Sequence, residues 1–319
     1  MADGNPVLCV EKLSVTFGRY ARLARKALPV LTDLHVRVHA GEMVAVIGAS
    51  GSGKSLLAHA ILDILPTNAH ASGNILYDGQ PLTPGRVKNL RGREIVLIPQ
   101  SVSFLDPLMK VGPQIRNGDN SPAARARADA LLARYGLGAE TGGLYPFELS
   151  GGMTRRILIS TAMMQSPRLV IADEPTPGLH EEAARRVLSH LREMADAGAA
   201  VLLITHDLRL ALATCDRVSV FYAGTAIEEA AAADFQDVAG LRHPYTRALW
   251  QAMPQHGFVP TAGAQPYAGD LPGGCPYRPR CPLATDACGG EIPYISLRGG
   301  HVRCIHADQL SGEEVTAPC

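Results

Sequence analysis

The sequence predicts an α/β protein built on a mostly parallel sheet and followed by a smaller irregular domain, and three observations carry that prediction. The apolar run at residues 43–47 feeds directly into a glycine-rich segment, 48–55, and then into a helical stretch, 56–65. Such a run reads as a buried parallel strand, so the order is strand, glycine loop, helix. Residues 169–172 and 200–205 are two further short apolar runs, separated by a helical pattern over 181–197 that stops at Gly198. That alternation is the mark of a parallel sheet. Beyond about Gly240 the composition shifts, with Pro254, Pro260, Pro266, Pro272, Pro276, Pro279 and Pro282 punctuating a glycine-rich tract of little periodicity. Regular structure is not expected there, and cross-links are expected to hold the tail together.

The remaining elements fit around this frame. Residues 7–17 and 30–38 read as β-rich, and 18–29, with Arg19, Arg22, Arg25 and Lys26, reads as a solvated hairpin loop. Ser121-Pro122 opens an alanine- and arginine-rich run that reaches Tyr135 and Gly136. Cap, first-turn proline and terminal glycine stand where a helix wants them, so a helical insert is expected. A second helix is expected over 154–164.

At 319 residues the chain suits a large domain with an appendage. Thirty basic residues balance thirty acidic ones, which argues against a nucleic-acid partner. No apolar run approaches the roughly 20 residues of a spanning helix, and residues 1–6 carry neither a basic nor an apolar leader pattern. A cytosolic location is the expectation. Seven cysteines are unevenly spread, with Cys9 and Cys215 isolated and Cys275, Cys281, Cys288, Cys304 and Cys319 crowded into the tail. In a reducing compartment that crowding points to metal ligation before disulfides.

Chemistry concentrates in two motifs. Gly48-Ala49-Ser50-Gly51-Ser52-Gly53-Lys54-Ser55, with Leu56 next, has the spacing of a phosphate-binding loop. Its glycines let backbone N–H groups face the phosphates, Lys54 reaches the β and γ oxygens, and the Ser55 hydroxyl is a magnesium ligand. Asp173 and Glu174 end the run 169–172, so one carboxylate can hold the magnesium shell while the other polarises a water. Asp173 is read as the metal-side acid and Glu174 as the base. These motifs alone admit motors, kinases and helicases.

Leu149-Ser150-Gly151-Gly152-Met153 lies between them, just ahead of a helix, and resembles the signature sequence of ATP-binding cassette proteins, with Met153 where glutamine is usual. The resemblance implies a P-loop NTPase (RecA-like) core with an antiparallel β-subdomain and a helical subdomain near 101–165, together spanning 1–240, and an extension over 241–319. It implies that Ser150, Gly151 and Gly152 grip the γ-phosphate of ATP held by a second cassette. Gln100 looks like the glutamine that senses magnesium and the attacking water, and His206 like the histidine that contacts the γ-phosphate. Phe17 or Tyr20 supplies the ring that stacks on adenine. One position departs from the family: after Glu174 the chain reads Pro175-Thr176-Pro177-Gly178-Leu179-His180, so His180 replaces the aspartate through which paired sites communicate.

The tail narrows the resemblance. His243-Pro244-Tyr245-Thr246-Arg247-Ala248-Leu249, the segment 271–277 and Arg280-Cys281-Pro282 resemble the extension of oligopeptide, dipeptide and nickel importer ATPases. The segments 144–153 and 53–56 look closest to nickel-type members. In this subgroup Cys275, Cys281, Cys288 and Cys304 correspond to four cysteines that can hold a 4Fe-4S cluster. Their spacing, with five, six and fifteen intervening residues, lacks the tight pair of zinc ribbons, and zinc or free thiols stay open as alternatives. The resemblance implies an ATPase at the cytoplasmic face of the cell membrane, working with ATP and Mg2+. Its implied partners are a distinct second ATPase subunit, two transmembrane permease subunits and an extracytoplasmic substrate-binding protein. A soluble cassette protein is one rival, although it usually carries two cassettes or a long coiled coil; a redox-sensing ATPase is the other.

Overall fold

Every residue from Met43 to Ile47 is buried in the computed structural model, which describes residues 4–21, 24–261 and 263–310. Two sheets organise it. The smaller is antiparallel, in the order β2-β1-β4-β5, from β1 (Leu8–Ala21), β2 (Ala24–Val38), β4 (Ala69–Tyr77) and β5 (Gln80–Pro81). The larger runs β11-β12-β10-β9-β3-β8-β7-β6. Its strands are β3 (Met43–Gly48), β6 (Ile95–Ile98), β7 (Leu169–Asp173), β8 (Ala200–Thr205), β9 (Arg217–Tyr222), β10 (Thr225–Ala231), β11 (Ile295–Leu297) and β12 (Gly300–Val302).

The five strands from β9 to β6 are parallel, with Ile47 opposite Thr205 and Ala172 opposite both Ile98 and Leu203. Strands covered on both faces need apolar residues at every position, which is why 43–47, 169–172 and 200–205 read as unbroken runs. Helix α1 (Lys54–Ile61) follows β3, and α6 (Glu181–Asp196) lies between β7 and β8. The latter buries Ala184, Val187, Leu188, Leu191 and Ala195 on one stripe and pairs Glu181 with Arg185 and Arg192 with Asp196 on the other. Each exposed i,i+4 pair is worth only about 0.3–0.5 kcal/mol; burial of the stripe decides the helix.

The insert between β6 and β7 is helical, with α3 (Val111–Ile115), α4 (Pro122–Arg134) and α5 (Gly151–Met163). Ser121 caps α4 by accepting from Ala124 N, and Gly136 takes the left-handed conformation at φ 69°, as the sequence predicts. The short helices α2 (Pro84–Leu90) and α7 (Leu208–Thr214) complete the cassette.

Two expectations are corrected. The segment 18–29 is not a loop: Gly18, Arg19, Tyr20 and Ala21 pair with Ala27, Lys26, Arg25 and Ala24. Ladder pairing uses backbone groups, so charged side chains do not end it. Nor is the tail wholly irregular, since α8 (Pro244–Gln251), β11 and β12 belong to it. It carries a small apolar cluster of Ile295, Leu297, Val302, Cys304 and Ala307, and polar and aromatic contacts tie it to the cassette. Arg242, 1% exposed, donates to the carbonyls of Leu297 and Arg298 and to Asp234. Buried Glu228 accepts the N–H groups of Arg242 and His243 at 2.7 Å each, and the rings of Tyr222, Tyr245 and Tyr277 pack at centroid distances of 4.5–5.4 Å. Polar bolts of this kind add to the small apolar cluster of a tail whose sequence shows little periodicity.

Candidate active site

Parallel strands deliver their C-terminal ends to one edge, and the chemistry gathers there. The loop after β3 turns at Gly51 and Gly53, with φ of 79° and 92°, a conformation that glycine adopts without steric cost. At Gly48 the constraint is space: a Cβ would stand 2.6 Å from the Phe221 carbonyl. Lys54 opens α1 and curls back so that its ammonium donates to the carbonyls of Gly48 at 2.8 Å and Ala49 at 3.1 Å. Burial depresses its pKa, opposed by the nearby carboxylates of Glu174 and Asp173. Ser52 Oγ is buried without a hydrogen-bond partner among the described residues, whereas Ser50 and Gly51 are exposed. Leu56 packs partly buried against the core and belongs to the scaffold.

Ser55 Oγ donates to Asp173 Oδ1 across 3.1 Å. The pair sets a hydroxyl and a carboxylate oxygen side by side, the hard-oxygen donor set that magnesium takes. Burial raises the Asp173 pKa, with the Ser55 bond pulling the other way. Glu174 follows with φ 47°, a conformation that costs a non-glycine residue of order 1–3 kcal/mol and clusters at functional sites. Its N–H bonds to Ile204 O at 2.9 Å, tying the end of β7 to β8, and this brings in His206. His206 Nδ1 lies 2.9 Å from each carboxylate oxygen of Glu174, with the histidine side chain 64% exposed and the glutamate 9%. An ionised carboxylate only accepts, so Nδ1 carries the proton of that pair.

Gln100 stands exposed just past β6, and its carbonyl accepts from Arg155. Arg155 is a residue of this site that the sequence reading missed. The signal was available: Arg155 is in helical phase with Leu158, Ile159, Ala162 and Met163, all buried in α5, and an arginine at the head of that row breaks the apolar pattern. Ser150 caps α5 by accepting from Met153 N at 3.3 Å; Gly151 is exposed with open space where a Cβ would be. The tripeptide faces outward, and Met153 packs partly buried behind it. His180 caps α6, its Nδ1 accepting from Ala183 N at 3.3 Å. Phe17 is half-buried against the smaller sheet's core; the side chain of Tyr20 lies outside the described residues.

The tail cysteines form a second polar centre. Cys275, Cys288 and Cys304 are buried and Cys281 partly so, all as free thiols. Burial pushes the Cys304 thiol up to about 12, and the other three thiols add to the rise. Each sulfur accepts a backbone N–H: Cys275 from Tyr277 and Arg278, Cys281 from Leu283, Cys288 from Thr285 and Cys304 from His306. Among the described residues no group of three or more His, Cys, Asp or Glu side chains is arranged to hold a metal ion. Cys319 lies outside the described residues.

Comparison with known proteins agrees with this geometry. A family model described as ABC transporter matches residues 31–177, and one described as Oligopeptide/dipeptide transporter, C-terminal region, matches 227–288. The probable D,D-dipeptide transport ATP-binding protein DdpD of Escherichia coli K12 is 35% identical, with 94% of this chain and 95% of that protein aligned. The oligopeptide transport ATP-binding protein OppD of Haemophilus influenzae is 32% identical over 94% and 96% of the two chains. Among solved structures, an ATP-binding subunit of an ABC transporter superposes with a TM-score of 0.60 at 28% identity, covering 72% of this chain and 92% of that one. A dimeric cassette bound to ADP and Pi reaches 0.62 at 21% identity over 70% and 98%, a likeness of fold alone. No helix among the described residues is long and apolar enough to cross a membrane. The chain belongs to the ABC transporter family, as an ATP-hydrolysing, ATP-binding subunit of its oligopeptide/dipeptide group.

Proposed function

We propose that this chain powers import of small peptides from the cytoplasmic face of the membrane. Its own site consists of Gly48–Ser55, Gln100, Asp173, Glu174 and His206, and Ser150-Gly151-Gly152 serves a partner cassette. The observation that carries the hydrolytic part is the convergence of the Ser55–Asp173 and Glu174–His206 pairs at the ends of neighbouring strands. Lys54 and the loop N–H groups bind the phosphates. A water oxygen attacks the γ-phosphorus, the bond to the ADP oxygen breaks, and Glu174 takes the water's proton while His206 holds the carboxylate in place. Magnesium, held by Ser55 and Asp173, supplies charge neutralisation on the phosphate oxygens when bound.

The peptide cargo rests on the relatives' names and on the C-terminal match over 227–288; a nickel chelate rests on the segments 144–153 and 53–56 alone. Division into a cassette (1–240, helical part near 101–165) and an extension (241–319) is part of this proposal and rests on the shift to proline- and glycine-rich composition beyond Gly240; the second family match, 227–288, crosses that boundary. Phe104, Leu108 and Met109 are exposed on the segment after Gln100, which suits docking on two membrane subunits. Met153 and His180 lie where cassettes face each other, and a distinct partner ATPase would keep an aspartate in at least one communicating segment.

Reconstituted in liposomes with its membrane subunits and a peptide-loaded binding protein, the complex is expected to accumulate labelled peptide only with ATP, and intact mass should find two different ATPase chains. Uptake of nickel chelate but not peptide would overturn the cargo, and two copies of this chain in a fully active complex would overturn the heterodimer.

A 4Fe-4S cluster at Cys275, Cys281, Cys288 and Cys304 is the second part of the proposal. It rests on the correspondence of these four positions with the cysteines of the resembled subgroup, and not on a ready-made ligand cage among the described residues, since burial raises the thiols of Cys275, Cys281 and Cys304 above their usual range. When bound, it would supply a cross-link for a tail of low apolar content. Protein purified anaerobically is expected to be brown and to lose its colour when any one of the four becomes serine. Stoichiometric zinc without iron would contradict this.

A further inference from the structure

The buried cation of α5 has no part in the chemistry assigned so far. Arg155 is 5% exposed, in the first turn and a half of the helix that begins at Gly151. Among the described residues its guanidinium bonds to backbone carbonyls. Nη1 donates to Pro99 O at 3.1 Å and to Gln100 O, Nη2 donates to Glu174 O, and Nε donates to Pro175 O at 3.2 Å. Those acceptors belong to two segments, one leaving β6 and one leaving β7, strands that are neighbours in parallel register with Ile98 opposite Ala172.

Burying a guanidinium is costly unless its donors are met and its charge is balanced. The hydrolytic centre itself meets that cost in part: four carbonyls accept the donors, and the nearby carboxylates of Asp173 and Glu174 oppose the burial that still holds the Arg155 pKa below its usual value. The left-handed backbone of Glu174 turns its carbonyl away from the ladder and into this fork. A planar fork can span two segments at once, whereas an ammonium is a point charge on a flexible stem.

We propose that Arg155 is a positioning residue for ATP hydrolysis: it locks the backbones of Gln100 and Glu174 to the first turns of α5, so that the glutamine and the base are set only while that helix is docked on the strand ends. This deepens the proposed function and rests on it, since it takes Glu174 as the base. The same helix starts at Ser150-Gly151-Gly152, whose first two residues are exposed, so a shift of that tripeptide reaches both catalytic backbones through one side chain. The link is mechanical and needs no contact between Arg155 and nucleotide.

The test uses the full chain in its assembled transporter, with Arg155→Lys and Arg155→Gln, each also in a Glu174→Gln background. Arg155→Lys keeps the charge and loses the two-segment fork. Its kcat is expected to fall by about 10- to 100-fold, the scale of a small misplacement of catalytic groups, with the KM for ATP changed by less than about threefold and a Tm close to that of the wild type. Arg155→Gln, which has no charge to bury, is expected to lose at least as much, and it decides the matter if the lysine variant does not fold. In the Glu174→Gln background the Arg155→Lys penalty should shrink to about twofold, because rate no longer depends on where that carboxylate sits. Wild-type kcat in either folded Arg155 variant would overturn the proposal. So would a fall in kcat that tracks the loss of Tm, or a penalty undiminished by Glu174→Gln. Full turnover in Glu174→Gln alone is a different failure, that of the base assignment.

Discussion

Glu174→Gln is expected to bind ATP as the native chain does and to release phosphate roughly 10²–10⁴-fold more slowly, the usual cost of losing a positioned general base. The carboxylate is the only part of the residue that changes. Its backbone position is fixed by Ile204 O on one side and by Arg155 on the other, and an amide of the same shape can still accept from His206 Nδ1. Ground-state binding depends on Lys54 and the loop, which the substitution leaves alone. Equilibrium nucleotide binding and single-turnover hydrolysis on one preparation separate the two effects. Weakened binding with unaltered turnover would reverse the assignment.

Lys54→Ala is expected to lose tight ATP binding and, with it, hydrolysis. The ammonium lies folded onto the carbonyls of Gly48 and Ala49, which places the only cation of the loop inside the turn. Two charge-assisted bonds to phosphate at about 1.5–3 kcal/mol each correspond to roughly 10²–10⁴-fold in Kd. Adenine contacts remain, so residual weak binding is expected to show little preference between ATP and ADP. Unchanged ATP affinity in a variant with native Tm would contradict the role.

The sheet was legible because its central strands are buried on both faces. Residues 43–47, 169–172 and 200–205 had to be unbroken apolar runs, and each ends in a residue with chemistry. Helix α4 was legible for a local reason, with Ser121, Pro122 and Gly136 marking both ends. What escaped depends on partners distant in sequence. Strands β11 and β12 have three residues each and exist because β10, some seventy positions earlier, offers Glu228 and Glu229 as ladder partners. The ladder through residues 18–21 and 24–27 is a backbone property that a run of arginines hides. Arg155 was hidden by its neighbour: next to the exposed Ser-Gly-Gly motif, a second arginine in Arg155-Arg156 reads as a solvated helix face, and only its helical phase with Leu158 and Ile159 says otherwise. His180 looked like a missing acid, and the structure adds that its imidazole does the capping that aspartate also does well.

The most direct measurement is steady-state phosphate release by the assembled transporter, with and without magnesium, for the native chain and for Glu174→Gln. The account predicts release that requires magnesium and falls by at least about a hundredfold in the variant; release that persists without the metal, or continues undiminished in Glu174→Gln, would contradict it.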